Sequence, residues 1–468
     1  FAPESIAAKI AANPLAKKAT SQRAVYSVVT NCTYDGMCYN AKEVQDLLEK
    51  SVDRIHFDEA WYGYARFNPM YKDRFALRGR PEDHPKDGPT VFATHSTHKL
   101  LAALSQASFI HVRDGRNAIE HGRFNEAYCM QATTSPLYAI IASNDVGTAM
   151  MDGPGGYTLT QESIKEAVAC RLTVARIRRE TEKKGDWFFA PWNADEVTNP
   201  TNGKKVPFHE APPELLCTDP ACWVLHPGES WHGFEGIPDG WCVLDPIKVG
   251  LVCPGMGDDG QMKPWGIPAD LVTAYLGYHG IVPSRTTDHM VLFLFSIGVT
   301  KGKWGSLVST LINFKRDYDR NAPLAESVPD VAAAGGKRYA GLGLKELGDQ
   351  MWTSMHESRQ GYWQAQAYAN MPKPEITQRR AFQRLVGNDV DLVPLHEMAG
   401  RVVGVGVIPY PPGIPIVMPG ENIGPQDGPW LTYIRALQAW GQSFPGFEKE
   451  VEGAELVDGV YHVYCMKK

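Results

Sequence analysis

Thr90-Val-Phe-Ala-Thr-His-Ser-Thr-His-Lys99 is the stretch that decides the fold. Its apolar opening, TVFATHS (90–96), has the character of a buried strand, and Lys99 stands just past its end, flanked by Ser96 and His98. Working outward, AVYSVVT (24–30), RIHFDEA (54–60) and SFIHVRD (108–114) are further short apolar runs, with AKEVQDLLEK (41–50) between two of them as a helix. Near-continuously apolar strands separated by helices predict an α/β domain on a mostly parallel sheet covered on both faces.

Further along, Ser135-Pro136 suggests an N-cap with Pro at the first helical position. It opens a helix through PLYAIIASNDVGTAMM that Gly153-Pro-Gly-Gly156 stops. Ile164, Val168, Leu172 and Ile177 keep a helical period from Thr160 to about Lys184, long enough to link two domains. After Gly185 come Trp-, Pro- and Asp-rich loops. VLDPIKVGLV, the helix PADLVTAYLGYHG, MVLFLFSIGV (290–299) and a helix from Lys301 to Tyr318 then predict a smaller α/β domain. Beyond about residue 320, helices near 344–354, 376–386 and 430–442, a strand at RVVGVGVIPY and the Pro-rich loop YPPGIPIVMPG predict an α+β module. The expected divisions are 1–168, 169–315 and 316–468.

Composition narrows the function classes. A 468-residue chain with 43% hydrophobic and 21% charged residues is not disordered. Lys+Arg 47 against Asp+Glu 53 leaves a net charge of −6, which disfavours nucleic acid and anionic lipid as partners. No apolar run approaches the roughly 18 residues of a membrane span, so the expectation is a soluble protein. Nine scattered cysteines suit a reducing cytoplasm better than a disulfide framework. Cys32-x5-Cys38 and Cys217-x4-Cys222 lack zinc spacing and have no matching His pair, so no metal is expected. The first residue is Phe1, not Met, so the native start is expected to be absent or removed.

Two residues suggest chemistry. Asp58, in HFDEAW, ends one strand, and Lys99 follows the end of the next, where ligands of open α/β sheets gather. A desolvated lysine can form a Schiff base, and a carboxylate one strand away can hold a pyridinium nitrogen protonated, which together point to pyridoxal phosphate. Taken singly, each is more often a solvated or capping residue. Ser96 and His98 offer phosphate donors, and Thr133-Thr134-Ser135 stands where a helix N-terminus attracts anions, although an ordinary cap explains it equally. Glu229, Trp231 and His232 fit packing of the second domain better than a substrate entrance.

THSTHKLLAALSQAS (94–108) resembles the lysine signature of the bacterial ornithine/lysine/arginine decarboxylases, a fold type I, aspartate aminotransferase-like pyridoxal-phosphate family. HFDEAWYGYARFNP, ATTSPLY, HPGESWHGF, LDPIKV, GIVPSRTTD, LFLFSIGVTKGKWG, IPYPPGIP and FPGFE extend the likeness across nearly the whole chain. The resemblance implies that Lys99 carries the cofactor, Asp58 pairs with its ring nitrogen, Ala60 packs on the ring and Trp61 reaches the ring hydroxyl. It further implies that Ser96 and His98 bind phosphate, with His98 also in the catalytic set, and that Thr133 reaches the phosphate of a neighbouring subunit. The implied assembly is therefore a dimer, with a decamer as the larger form favoured when surface acids such as those of GMGDDG (255–260) are neutralised.

The implied reaction is proton-consuming decarboxylation, serving acid resistance and polyamine supply. GYARFNP, HPGESWHGF and Val282-Pro-Ser-Arg-Thr-Thr-Asp288 resemble the arginine-specific members most, which implies L-arginine as substrate and agmatine and carbon dioxide as products. Ser284 leaves room for a guanidinium where lysine enzymes carry Glu, and Asp288 is a candidate partner for it, unless it pairs with Arg285 or solvent. Lysine or ornithine specificity is the near alternative; an aminotransferase or a non-catalytic regulatory subunit are the distant ones. The family's N-terminal wing, its linker and the front of its cofactor domain have no counterpart here. A preceding segment, in the same or a second chain, is accordingly expected to complete the site.

Overall fold

The computed structural model describes residues 2–20, 24–200, 202–257 and 259–468, so the expectation attached to Phe1 lies outside the described residues. The first part runs α1 (Pro3–Ala12), β1 (Ala24–Thr30), β2 (Met37–Tyr39), α2 (Ala41–Leu48), β3 (Val52–Asp58), β4 (Thr90–His95), α3 (Thr97–Leu100), β5 (Phe109–Arg113), α4 (His121–Cys129), α5 (Tyr138–Met151) and α6 (Pro154–Glu182). Four strands form one sheet in the order β1-β3-β4-β5. β1, β3 and β4 are parallel, as the apolar runs predict, but β5 is antiparallel to β4. The physical reason is the connection: α3 is a single turn and returns the chain at the end of the sheet where β4 stops, whereas a parallel partner needs a full crossover.

The strands' period of two sorts side chains onto two faces. Ile55 and Phe57 point into the core with Val91, Ala93 and the Ala41, Val44 and Leu48 stripe of α2, all buried. Asn40 caps α2 by accepting from the Glu43 amide at 3.3 Å. The opposite face, with Tyr26 and Val28, is open: these two are 48% and 56% exposed. The expectation that the sheet is covered on both faces is therefore corrected for the described residues.

Two helix boundaries also differ from expectation. α5 begins at Tyr138 with Leu137 as its N-cap, because the Ser135 amide already donates to Thr133 Oγ1 at 3.1 Å and closes a separate turn. Gly153, at φ +58°, ends the first helix, but Pro154 immediately starts α6, so Gly155 and Gly156 lie inside a helix. Gly156 is needed there, since a Cβ would stand 2.3 Å from the Met151 carbonyl oxygen.

α6 spans 29 residues. Its Arg171, wholly buried, donates to the carbonyls of Pro246 (3.1 Å), Trp192 (2.9 Å) and Lys248 (2.6 Å). VLDPIKVGLV is not one strand. Asp245-Pro246 interrupts it, leaving Cys242–Leu244 to pair with β2 of the first part and Lys248–Val252 to join a second sheet. That second sheet is antiparallel, ordered Arg285–Thr286, Met290–Leu294, Lys248–Val252, Ala190–Pro191. One continuous core unites both parts, and a second core around Val393, Val403, Val417, Ile434 and Val463 fills the C-terminal portion. There the expected strand 401–410 shrinks to Ile408–Tyr410 with isolated bridges at Val402, Val403 and Val407.

Candidate active site

β3 ends at Asp58, beside Thr30 of β1 and Thr94 of β4, so the carboxylate emerges on the open face at the carboxyl end of the parallel strands. Asp58 Oδ1 accepts from the Ala60 amide at 3.2 Å, and the Ala60 carbonyl in turn accepts from the Ser96 amide at 3.3 Å. This pair of contacts ties the Asp58-Glu-Ala-Trp61 turn to the start of α3. Ser96 is the N-cap residue of α3, yet its hydroxyl makes no capping bond. Lys99 is the third residue of α3 and exposed, with its Nζ 5.7 Å from the centre of the Trp61 ring. Lys99 stands just past the strand as expected, but the expected desolvation is corrected: the lysine is exposed.

His98 Nδ1 faces the Ala107 carbonyl at 2.8 Å, so the hydrogen sits on Nδ1 and Nε2 is left for a ligand. Trp61 Nε1 is buried without a hydrogen-bond partner, and Tyr34 packs edge-on against the Trp61 ring at 4.8 Å. Burial raises the Tyr34 phenol, helped by Tyr410 and Asp58, while burial lowers the His56 imidazole against the pull of Asp58. His56 Nε2 lies 3.2 Å from Thr94 Oγ1 and its Nδ1 meets the Tyr26 hydroxyl, so a polar row runs along the open face beside Asp58.

Pyridoxal phosphate needs an acceptor at its ring nitrogen, a donor at its ring oxygen, an amine for its aldehyde and donors for its phosphate. The orphaned Trp61 Nε1, buried donor without acceptor, is the observation that tests the fit. Together with the Asp58 carboxylate, the Lys99 amine, the Ser96 hydroxyl that makes no capping bond and His98, these residue types fit the group.

The remaining predicted residues stand elsewhere. Thr133 lies in an exposed turn before α5, its hydroxyl occupied by the Ser135 amide. Ser284 is exposed and accepts from the Leu294 amide at 3.2 Å. Asp288 is not a free acceptor for a guanidinium: Gln360 Nε2 donates to both its oxygens at 3.2 Å, and Lys449 Nζ is 3.6 Å away. Lys449 also reaches Asp270 at 2.6 Å, so this buried trio ties the C-terminal portion to the second sheet. Arg285 pairs not with Asp288 but with Asp35 at 2.9 Å, and it lies over Tyr34. Trp231 donates to Glu229 at 2.9 Å and packs on Trp192, in line with a packing role.

The sequence reading passed over Glu59, the neighbour of Asp58. It is 1% exposed on the core face and accepts from Asn31 Nδ2 (3.0 Å), the Ala76 amide (2.8 Å) and His95 Nε2 (3.0 Å). It thereby fastens the ends of β1 and β4 to the residue beside Asp58. The alternation His56-Phe-Asp58-Glu59 held that signal, since a carboxylate beside Phe57 on the core face must be paired.

An exposed amine one turn past a strand, a carboxylate at the neighbouring strand end and an orphaned indole donor define a pyridoxal-phosphate-binding α/β protein. The comparisons sharpen this. Residues 1–303 match the family model described as "Orn/Lys/Arg decarboxylase, major domain", and residues 362–467 match "Orn/Lys/Arg decarboxylase, C-terminal domain". The chain belongs to the Orn/Lys/Arg decarboxylase family, which depends on pyridoxal phosphate.

Among relatives, it is 57% identical over 465 residues to the biodegradative arginine decarboxylase of Escherichia coli (strain K12), covering 99% of this chain and 61% of that protein. It is 42% identical to the lysine decarboxylase LdcA of Pseudomonas aeruginosa, covering 100% of this chain and 60% of the relative. The solved lysine decarboxylase A from Pseudomonas aeruginosa superimposes with a TM-score of 0.88 at 42% identity, covering 100% of this chain and 60% of that one. The E. coli constitutive lysine decarboxylase does so at 0.84 and 36%, covering 100% and 61%. The chain thus spans about 60% of the length of the curated relatives it matches. No helix among the described residues is long and apolar enough to cross a membrane.

Proposed function

We propose that this chain carries the lysine-bearing half of the catalytic centre of a pyridoxal-phosphate-dependent arginine decarboxylase, acting in the cytoplasm to release carbon dioxide and agmatine from L-arginine. The observation that carries the reading is the convergence of Asp58, the orphaned Trp61 Nε1 and Lys99 on one open sheet end. The 57% identity to an arginine decarboxylase over 99% of the chain supports arginine over lysine or ornithine.

When bound, the cofactor supplies an electron sink for the pair left behind as carbon dioxide departs. This chain's residues do the rest. Lys99 tethers the cofactor, and Asp58, rigidly seated by the Ala60 amide, holds a proton at the ring nitrogen. Trp61 would donate to the ring oxygen, Ala60 would bound one ring face, and Ser96 with His98 would hold the phosphate. Ser284 leaves space for the long side chain of the substrate. The open face that bears Val28, with exposed Leu137 and Tyr138 on the approach to and first turn of α5, takes a neighbouring subunit that completes the site, with Thr133 offered to it.

The test is product analysis of the purified protein, with any companion chain it carries, supplied with pyridoxal phosphate and each of L-arginine, L-lysine and L-ornithine. Agmatine and carbon dioxide from arginine are expected, whereas a keto acid would establish an aminotransferase. Borohydride reduction and peptide mapping check the tether independently: no adduct at Lys99 would sink the reading.

A further inference from the structure

Beneath the candidate site lies a buried cluster that the proposed function does not use. Thr33 and Met37 close a tight turn: the Thr33 amide donates to the Met37 carbonyl at 3.1 Å, and the Met37 amide donates to Thr33 Oγ1 at 3.1 Å. That closure sets the flanking residues, Cys32 and Cys38, opposite each other. Cys32 is 4% exposed and Cys38 0%, and their sulfurs lie within 4.8 Å of one another.

Lys248, also 0% exposed, donates to Cys32 Sγ at 3.0 Å and to the Thr33 carbonyl at 3.1 Å. Asp245 completes the group, but Tyr71 donates to one of its oxygens at 2.7 Å and Tyr64 donates to the other. The two thiols and the carboxylate have the spacing of a metal set. Against that, both carboxylate oxygens carry hydroxyl donors, and a lysine amine stands against one sulfur where a cation would have to enter. Burial works against charge on Lys248, yet Cys32 and Asp245 outweigh it and raise its pKa, so it is an ammonium at neutral pH. Burial holds the Cys38 thiol well above the ordinary cysteine range.

We propose that Cys32 and Cys38 are a peroxide-oxidisable dithiol, with the Lys248 ammonium assisting the sulfur of Cys32. The chemistry balances in two steps. Cys32 sulfur attacks hydrogen peroxide, the O–O bond breaks, a sulfenic acid forms and one water leaves. The Cys38 thiol then attacks that sulfur, the S–O bond breaks, a disulfide forms and a second water leaves. The two sulfurs together lose two electrons and peroxide gains them. The charge develops on the hydroxide leaving peroxide, and an ammonium 3.0 Å from the attacking sulfur is placed to give that hydroxide a proton, recovering one from the thiol. Cys38, still protonated, is the resolving thiol. Burial restricts the oxidant to a small, uncharged one.

The turn between the two cysteines connects this chemistry to the candidate site. It carries Tyr34, edge-on to Trp61, and Asp35, paired with Arg285. Joining the sulfurs draws them to about 2 Å and pulls on that turn. This coupling rests on the cofactor reading above, whereas formation of the crosslink does not.

The experiment treats the purified full chain, loaded with pyridoxal phosphate, with hydrogen peroxide or with glutathione disulfide, followed by alkylation and non-reducing peptide mapping. Peroxide should join Cys32 to Cys38, while the bulky disulfide should modify Cys129, the exposed cysteine. Cys38→Ser should leave a sulfenic acid on Cys32 that a cyclic 1,3-diketone traps. Lys248→Met should slow crosslinking about tenfold, with Lys248→Arg retaining most of the rate. If Lys248→Met fails to fold, the Cys38→Ser trapping decides. Cys32 and Cys38 both recovered as alkylated thiols once Cys129 is oxidised, or Cys32 joined to Lys248 instead, would overturn the proposal. Crosslinked protein should also release pyridoxal phosphate more readily, read by dialysis; unchanged retention would overturn the coupling while leaving the crosslink standing.

Discussion

The two four-stranded sheets of this molecule differ in how far they are covered. In the second, Val249, Leu251, Val291 and Leu292 are at most 2% exposed, with α6 packed on Lys248–Val252 and the helix Ala269–Tyr278 on Met290–Leu294. In the first, Val25 and Val28 of β1 are 54% and 56% exposed, and Tyr138 of α5 is 82% exposed. Yet the residues proposed to carry the chemistry, Asp58, Trp61 and Lys99, lie at or just past the strand ends of the open sheet. The well-packed sheet is thus the scaffold, and the open one presents exposed apolar surface of the kind that marks an interaction face.

The sharpest way to break that contrast is at the chemistry. Lys99→Ala should abolish borohydride-fixed pyridoxal phosphate entirely, with an unfolding midpoint unchanged because the side chain is exposed. On the scaffold side, Phe293→Ala removes a ring only 8% exposed and should cost about 3–5 kcal/mol in urea unfolding. Asp288→Asn weakens the buried tie to Lys449 and should cost about 2–3 kcal/mol, with the Michaelis constant for arginine little changed. A raised Michaelis constant at unchanged stability would instead restore Asp288 as a substrate contact.

A pH effect of intermediate size belongs to His111 at the margin of the open sheet. Burial, aided by neighbouring His95, lowers its pKa to about 4. The unfolded chain binds a proton from about pH 6.5 downward while the folded one resists until about pH 4, so stability falls as pH drops through that window. Allowing for its partial exposure, the loss should be on the order of 1 kcal/mol, and His111→Asn should flatten that part of the pH–stability curve. Smallest of all, Val28→Thr on the open face should change the stability of the isolated chain by no more than about 0.5 kcal/mol. A larger loss would show that this face is covered in solution.

Much of this was legible in the residues. The runs at 24–30, 54–60 and 90–96 became strands because their apolar content and β-branched residues leave no other periodicity, and Asp58 stands at the end of one of them as read. What escaped was decided by contacts across long stretches of sequence. The reversal of β5 depended on the shortness of α3, and the break at Asp245-Pro246 on two different strand partners. The engagement of Asp288 depended on Lys449, 161 positions away by residue number. Glu59 was missed for a different reason: its neighbour Asp58 drew the chemical reading, although the buried face gave Glu59 more bonding partners.

The Arg171 anchorage of α6 has a mechanical meaning. A guanidinium gripping three carbonyls from two different segments behaves as a rivet, and the helix that carries it is a stiff beam of about 44 Å at 1.5 Å per residue. The rivet holds the LDPIK segment, which joins the strand paired with β2 to a strand of the second sheet, so both strands are fixed to the same beam. Away from the beam, the Tyr410-Pro-Pro-Gly413 loop meets the Cys32–Cys38 turn at Tyr34, so a shift of that turn is passed to the loop and to Trp61 together.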